Sequence, residues 1–268
     1  MAIENGWASR YAEVGTSETR GPRLFSTLDQ WPAAFRGRAP VATLSDHRLW
    51  QAGDDAYLSA LHSLYQGATD PFALAAEEAL AQAAFIREKT KIVRLRGHYS
   101  KSGRGLRAAA RLILADVGAE IIWVDVGGFD THKAQGGEAG MLAQKLAALG
   151  QDLAAFRDDL GMRFADVVLV TLTEFGRTLQ ENGAGGTDHG SGSCTLVLGG
   201  GVRGGRLVGS WPGLTREALF ERRDLAITTD YRAVLAALLT GHLRLDPAAL
   251  AHVLPGFDVS RTPKLDLV

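Results

Sequence analysis

Acidic side chains and imidazoles stand at two places in this chain at spacings that suit a metal ion. Asp130 and His132 are two apart in Gly127-Gly128-Phe129-Asp130-Thr131-His132, and Asp188 and His189 are adjacent in Gly186-Thr187-Asp188-His189-Gly190. Residues two apart in an extended or turning segment point to one side, so Asp130 and His132 can chelate one ion. Adjacent residues point apart, so in a glycine-rich turn one of Asp188 and His189 binds while the other hydrogen-bonds or takes a second ion. Between the pairs lies Thr173-Glu174-Phe175-Gly176-Arg177-Thr178. Glu174 is a candidate ligand or general base, and Arg177 a candidate bidentate grip on an anionic phosphate or sulfate oxygen. Imidazole with two or three carboxylates is the donor set of Zn²⁺ or Mn²⁺ in a hydrolytic site, where the ion activates water or a nucleophile and stabilises an oxyanion; Mg²⁺ is the third candidate. The plainer alternative is that Asp-x-His and Asp-His occur here by chance and that Glu174 and Arg177 form a local ion pair.

The elements that would position these residues are two apolar runs, Ile121-Ile122-Trp123-Val124-Asp125-Val126 and Val167-Val168-Leu169-Val170-Thr171-Leu172, each ending just before a polar cluster. Short β-branched and aliphatic runs bounded by glycine predict buried strands. Between them Met141, Leu142, Leu146, Leu149, Leu153, Phe156 and Leu160 recur at helical spacing, which predicts a helix over Gly136 to Leu160. That is a βαβ unit. In a parallel sheet of such units ligands bind beyond the carboxyl ends of the strands, so both clusters are expected on one rim.

Four stretches in order resemble the DUF1501 family of bacterial proteins: Gly127 to His132, Thr173 to Thr178, Gly186 to Gly190, and Leu198-Gly199-Gly200-Gly201-Val202-Arg203-Gly204-Gly205. The likeness continues through Trp211-Pro212-Gly213-Leu214 and Thr229-Asp230-Tyr231-Arg232 to Leu254-Pro255-Gly256-Phe257. It covers residues 85–257, with Gly6-Trp7 to Tyr11 similar to an earlier family segment. The family is grouped with the alkaline phosphatase and sulfatase superfamily. The resemblance therefore implies an α/β fold of three layers, α/β/α, around a mostly parallel sheet, and a two-metal hydrolase site acting on an anionic phosphate or sulfate ester. It suggests Asp130 and His132 as ligands of one ion, His189 where the superfamily has a late histidine ligand, and Glu174 where it has an Asp-His pair. Glu174-Phe175 in place of that pair loses an imidazole and weakens the two-metal inference. Family members usually open with an export signal and a strand carrying an acidic ligand, followed by the nucleophile region, whereas this chain opens near the Gly-Trp segment that follows them. The resemblance thus leaves two readings, a metal-dependent hydrolase, incomplete at its start, or a non-catalytic binding or assembly protein that keeps the fold. A missing central strand predicts a gap beside Ile121 to Val126 and a chain that is unstable, oligomeric or dependent on a partner segment.

The remaining sequence narrows the class. With 268 residues, 46% of them hydrophobic, one α/β domain spanning 1–268 is expected. Net charge is -1, from 29 basic and 30 acidic residues, so no field draws the chain to nucleic acid or an anionic membrane. The start has neither a basic nor an apolar leader, which places the chain as written in the cytoplasm, or in an exported, periplasmic setting if it truly begins earlier. Residues 1–55 are rich in Gly, Pro, Arg and aromatics, which predicts irregular structure packed on the core with a short helix near Trp7 to Glu13. Asp46-His47 reads as surface. Two helices split near Gly67 are expected between Asp54 and Lys89, the second capped by Asp70-Pro71. The basic run Arg87 to Arg107 reads as a solvated connection, with a phosphate-binding loop at Ser100 to Gly105 as the alternative. A helix follows over Leu106 to Val117, then a strand at Leu196 to Leu198 closed by a tight glycine turn, a helix over Thr229 to Leu243, and a last one from Asp246-Pro247 to Val253. His62, His242 and His252 read as structural, and the lone Cys194 as a buried thiol.

Overall fold

A computed structural model describes residues 5–14, 21–28, 30–44, 55–67 and 70–268. Asp46-His47 lies outside the described residues. The chain divides into two compact units, Met1–Val126 with Asp152–Leu160, and Gly127–Gln151 with Gly161–Val268.

The first unit is built on a three-stranded parallel sheet. Its strands are β1 (Leu24–Ser26), β2 (Val41–Thr43) and β3 (Ile121–Trp123), in the order β2-β1-β3. Side chains alternate across the central strand. Leu24 packs with Phe35 and with Ala8 of helix α1 (Trp7–Val14). On the other face Phe25 packs with Ile86 and Leu112, carried by α3 (Pro71–Lys91) and α4 (Arg104–Ala115). Helix α2 (Asp55–Tyr65) precedes α3, and the Asp70 carboxylate accepts the amides of Phe72 and Ala73 as its N-cap, as the Asp-Pro pair foretold. The stretch expected to be irregular apart from one short helix has that helix, α1, and also supplies two of the three strands. Three-residue strands are too short to leave a period in the sequence.

Beside β3 on one side lies β1, Leu24 against Ile121 and Ser26 against Trp123; on its other side β3 has no paired strand among the described residues. Around it, Tyr11 donates to Glu120 at 2.7 Å and Arg23 Nε to the same carboxylate at 2.7 Å, joining α1 to the residue before β3. Burial, with the Glu120 hydrogen bond and charge, pushes the Tyr11 phenol up to about 12.

The basic run is less solvated than expected. Asp159 accepts the amides of Arg96 and Gly97 and the Tyr99 hydroxyl, and fully buried Asp152 accepts both the amide and the hydroxyl of Ser100 at 2.6 Å. Both carboxylates come from helix α5 (Met141–Leu160). The first amide of the candidate phosphate loop, that of Ser100, therefore meets a carboxylate, and the Gly103 amide turns back to Ser100. A methyl group on Gly103 would lie 2.3 Å from the Asp152 carboxyl carbon, so the loop closes only with glycine there.

The second unit has two antiparallel pairs: β4 (Val168–Val170) with β7 (Val197–Gly199), and β5 (Gly176–Arg177) with β6 (His189–Gly190). Helix α6 (Tyr231–Gly241) packs Ala233 and Leu238 against Leu265 and Leu267, with Val168, Val170 and Val197 around them. Its N-cap is Asp230, and a short α7 (Leu250–Val253) follows the turn at Pro247. The run at Ile121 thus contributes β3, paired in parallel with β1, and the run at Val167 contributes β4, paired with β7. The strand after the glycine-rich loop, β7, thus pairs with β4 in antiparallel fashion, a pairing the parallel expectation did not include. Helix α5 begins at Met141, after Gly136, Gly137 and Gly140; Gly136 sits at a positive φ of 72° and a methyl group there would meet the Gly140 backbone at 2.6 Å. Cys194 is exposed, ahead of β7 and outside the strand expected to bury it. Among the described residues no helix is long and apolar enough to cross a membrane.

Candidate metal centre

All the polar clusters singled out above lie in the second unit. Its loops are drawn together by backbone bonds: Lys133 bridges Gly185, the Thr187 amide donates to the Thr131 carbonyl at 3.1 Å, and the Gln135 amide to that of Gly185 at 2.8 Å. Contact this close needs glycine. A methyl group on Gly186 would fall 2.3 Å from the His132 carbonyl carbon. Thr131 turns inward, only 4% exposed, while Asp130 and His132 on either side of it meet, with His132 Nε2 2.9 Å from Asp130 Oδ1. The Asp-x-His spacing foretold this.

His189 and Arg177 are opposite one another in the β5–β6 pair, and facing residues of an antiparallel pair share a side. Both reach Asp130. His189 Nε2 lies 3.1 Å from Oδ1, and Arg177 Nη1 donates to the same oxygen. The ion pair at this site is thus Arg177 with Asp130, rather than with Glu174. Phe175 stacks on the His189 ring at 3.7 Å between centroids, fixing its plane.

The donor atoms of Asp130, His132 and His189 all lie within 4.8 Å of one another. Two ligands of a tetrahedral ion, each about 2.1 Å from it, are about 3.4 Å apart. The two imidazole-to-carboxylate separations, 2.9 and 3.1 Å, are a few tenths of an ångström short of that, so a small opening admits an ion. The residues fit a divalent cation. Two imidazoles and one carboxylate make a mixed nitrogen and oxygen donor set.

Asp188 and Glu174 stand outside this group. Asp188 Oδ1 faces His132 Nδ1 at 3.4 Å and accepts from Asn182 Nδ2 at 2.9 Å. A Nδ1–H held by a carboxylate leaves the Nε2 lone pair for a metal, the arrangement that orients histidine ligands generally. Glu174 is exposed, between β4 and β5. Desolvation pushes the Asp130 carboxyl up, but the Arg177 hydrogen bond and the imidazoles of His132 and His189 outweigh it and hold the group below the ordinary carboxylate range. Hydrogen bonds from Asn182 and His132 hold Asp188 low as well.

Two residues that the sequence did not single out tie the site together. Asn182 uses both ends of its amide: Nδ2 donates to the His132 carbonyl and to Asp188, and Oδ1 accepts from the amides of Ala184 and Gly186. The Asn182-Gly183 dipeptide is a turn signal that could have pointed to it. Gln135 Oε1 accepts both the Thr131 hydroxyl at 2.7 Å and the Thr187 hydroxyl at 2.8 Å, and nothing in its spacing marked it.

A family model described as "Protein of unknown function (DUF1501)" matches residues 9–254. No curated protein and no solved structure matched.

Proposed function

The chain belongs to the DUF1501 family, and from that premise we propose that its second unit is a metal-dependent hydrolase centre for a phosphate or sulfate ester, in an alkaline phosphatase-like three-layer fold. The observation that carries this reading is the meeting of Asp130, His132 and His189 donor atoms within 4.8 Å. Asp130, His132 and His189 hold the cation, and Asp188 orients His132. When bound, such an ion supplies a Lewis acid for the developing oxyanion and lowers the pKa of a bound water. The attack comes from water, because the three buried threonine hydroxyls of the site segments are all donated elsewhere, those of Thr131 and Thr187 to Gln135 and that of Thr178 to the Gln180 carbonyl. Glu174, the carboxylate of the site segment with no role in holding Asp130, His132 or His189, takes the proton. Arg177 carries a fixed positive charge to the same place and binds the ester's anionic oxygen.

The committed threonines also favour a second reading, a binding or assembly protein that keeps the metal centre without turnover. A screen of phosphate and sulfate esters with added Zn²⁺ or Mn²⁺ separates the two. Turnover that disappears in Asp130→Ala supports the hydrolase; ester binding without turnover, under any added metal, leaves the binding protein.

A further inference from the structure

Three nitrogen atoms crowd one oxygen. Asp130 Oδ1 receives Arg177 Nη1 and lies 2.9 Å from His132 Nε2 and 3.1 Å from His189 Nε2. A carboxylate oxygen has two lone pairs, so it cannot keep these contacts and also bind a cation. The histidines change from neighbours of Asp130 to fellow ligands by a small opening. Arg177 has no such option, being a cation itself.

The rest of the guanidinium is anchored. Its Nε donates to Thr187 Oγ1 at 3.0 Å and its Nη2 to the Thr187 carbonyl, while Thr187 is held in turn by Gln135 and by the Thr131 carbonyl. The side chain is 20% exposed. Arg177 therefore stays at the site whether or not it holds Asp130, and only the partner of Nη1 changes.

We propose that Arg177 and the cation compete for Asp130 Oδ1, and that the guanidinium edge released by the cation takes up an anionic oxygen of the ligand, so that cation and oxyanion bind cooperatively. This rests on the metal-centre reading above. Without the cation, Arg177 neutralises Asp130 and the cluster holds together. With it, the released N–H group lies beside a second positive charge, an arrangement that an anion relieves. The group displaced is a carboxylate oxygen, so the group taken up is of the same kind: phosphate, sulfate or carboxylate, all matched by a planar guanidinium. Cooperativity of this sort is reciprocal, the oxyanion tightening the cation by the factor that the cation tightens the oxyanion.

The test is calorimetric titration of the full chain with Zn²⁺ or Mn²⁺, with inorganic phosphate, and with each in the presence of the other, acetate serving as a second anion. Wild-type protein should bind phosphate at least about five-fold more tightly with the cation present, and the cation more tightly by a like factor with phosphate present. Arg177→Gln should bind the cation alone as tightly as wild type or more so, and should lose most of the coupling; Arg177→Lys, which keeps charge and lacks the fork, should lose part of it. Equal phosphate affinity with and without cation in the wild type overturns the proposal and leaves the metal centre standing, a result that needs no variant. Weaker cation binding in Arg177→Gln, or coupling that survives it in full, also overturns it. No cation binding by wild type and Arg177→Gln alike defeats the metal centre itself and this inference with it.

Discussion

Replacing Asp188 asks whether this carboxylate is a ligand or the support of one. Its Oδ1 is shared between Asn182 Nδ2 at 2.9 Å and His132 Nδ1 at 3.4 Å, and the residue is outside the group of donors that meet. Asp188→Ala removes the acceptor that holds the His132 ring, while Asp130, His132 and His189 remain. Loss of such an outer partner lowers metal affinity about 10- to 100-fold, or about 1.4 to 2.8 kcal/mol. Asp188→Asn keeps an acceptor oxygen and loses only charge, so it should fall at or below the lower figure. The Asn182 amide meanwhile keeps its bonds to the His132 carbonyl and to the amides of Ala184 and Gly186, so the loop should hold its shape. The assay is competition between the protein and a chromogenic chelator for Zn²⁺, with circular dichroism to show that the variants fold. A loss in Asp188→Ala as large as that in Asp130→Ala would make Asp188 a ligand, and an unchanged affinity would show that it does not orient His132.

Other outcomes follow from the same contacts. Gly186→Ala should abolish Zn²⁺ binding in the chelator assay while leaving most of the helical circular dichroism, since its methyl group meets the His132 backbone at 2.3 to 2.4 Å and pushes the two loops apart. Asp152→Ala leaves the Ser100 amide without its carboxylate acceptor, while the Ser100 hydroxyl keeps Ser102 Oγ at 2.8 Å; at about 1 to 3 kcal/mol for a group left unsatisfied, urea denaturation should show about 1 to 3 kcal/mol lost. Tyr11 has its pKa raised in the folded chain, so the stability it adds is complete below the ordinary value near 10 and is lost as pH rises towards about 12. Melting temperature should therefore decline over that window in wild type, and Tyr11→Phe should flatten the part of the decline due to Tyr11.

Helices and caps were legible because their signals are local. Asp70-Pro71, Asp230 and Asp246-Pro247 mark the starts of elements that the structure has, within a residue or two. The site was legible in part for the same reason: two residues apart in an extended turn is a geometric statement, and Asp130 and His132 obey it. The strands were the weaker reading. Leu24-Phe25-Ser26 is too short to show alternation, and whether Val168–Val170 pairs in parallel or antiparallel fashion is decided by a partner some thirty residues on, Val197–Gly199. That Asp188 and His189 take separate places follows from their adjacency; which of them meets Asp130 depends on the β5–β6 register, which sets His189 against Arg177, and no spacing rule carries that. Asn182 and Gln135 work by bonding backbone and hydroxyl groups from other loops, contacts that exist only once the glycines have let those loops approach.

The central claim, one divalent cation held by Asp130, His132 and His189, is met most directly by anomalous diffraction from crystals of the full chain grown with Zn²⁺ or Mn²⁺. The expected result is an anomalous peak about 2.0 to 2.2 Å from Asp130 Oδ1, His132 Nε2 and His189 Nε2, with Arg177 turned from Asp130 and no peak at this place in His189→Ala. Zn²⁺ and Mn²⁺ absent from that position at saturating concentration, or a peak held by Glu174 and Asp188 instead, would contradict it.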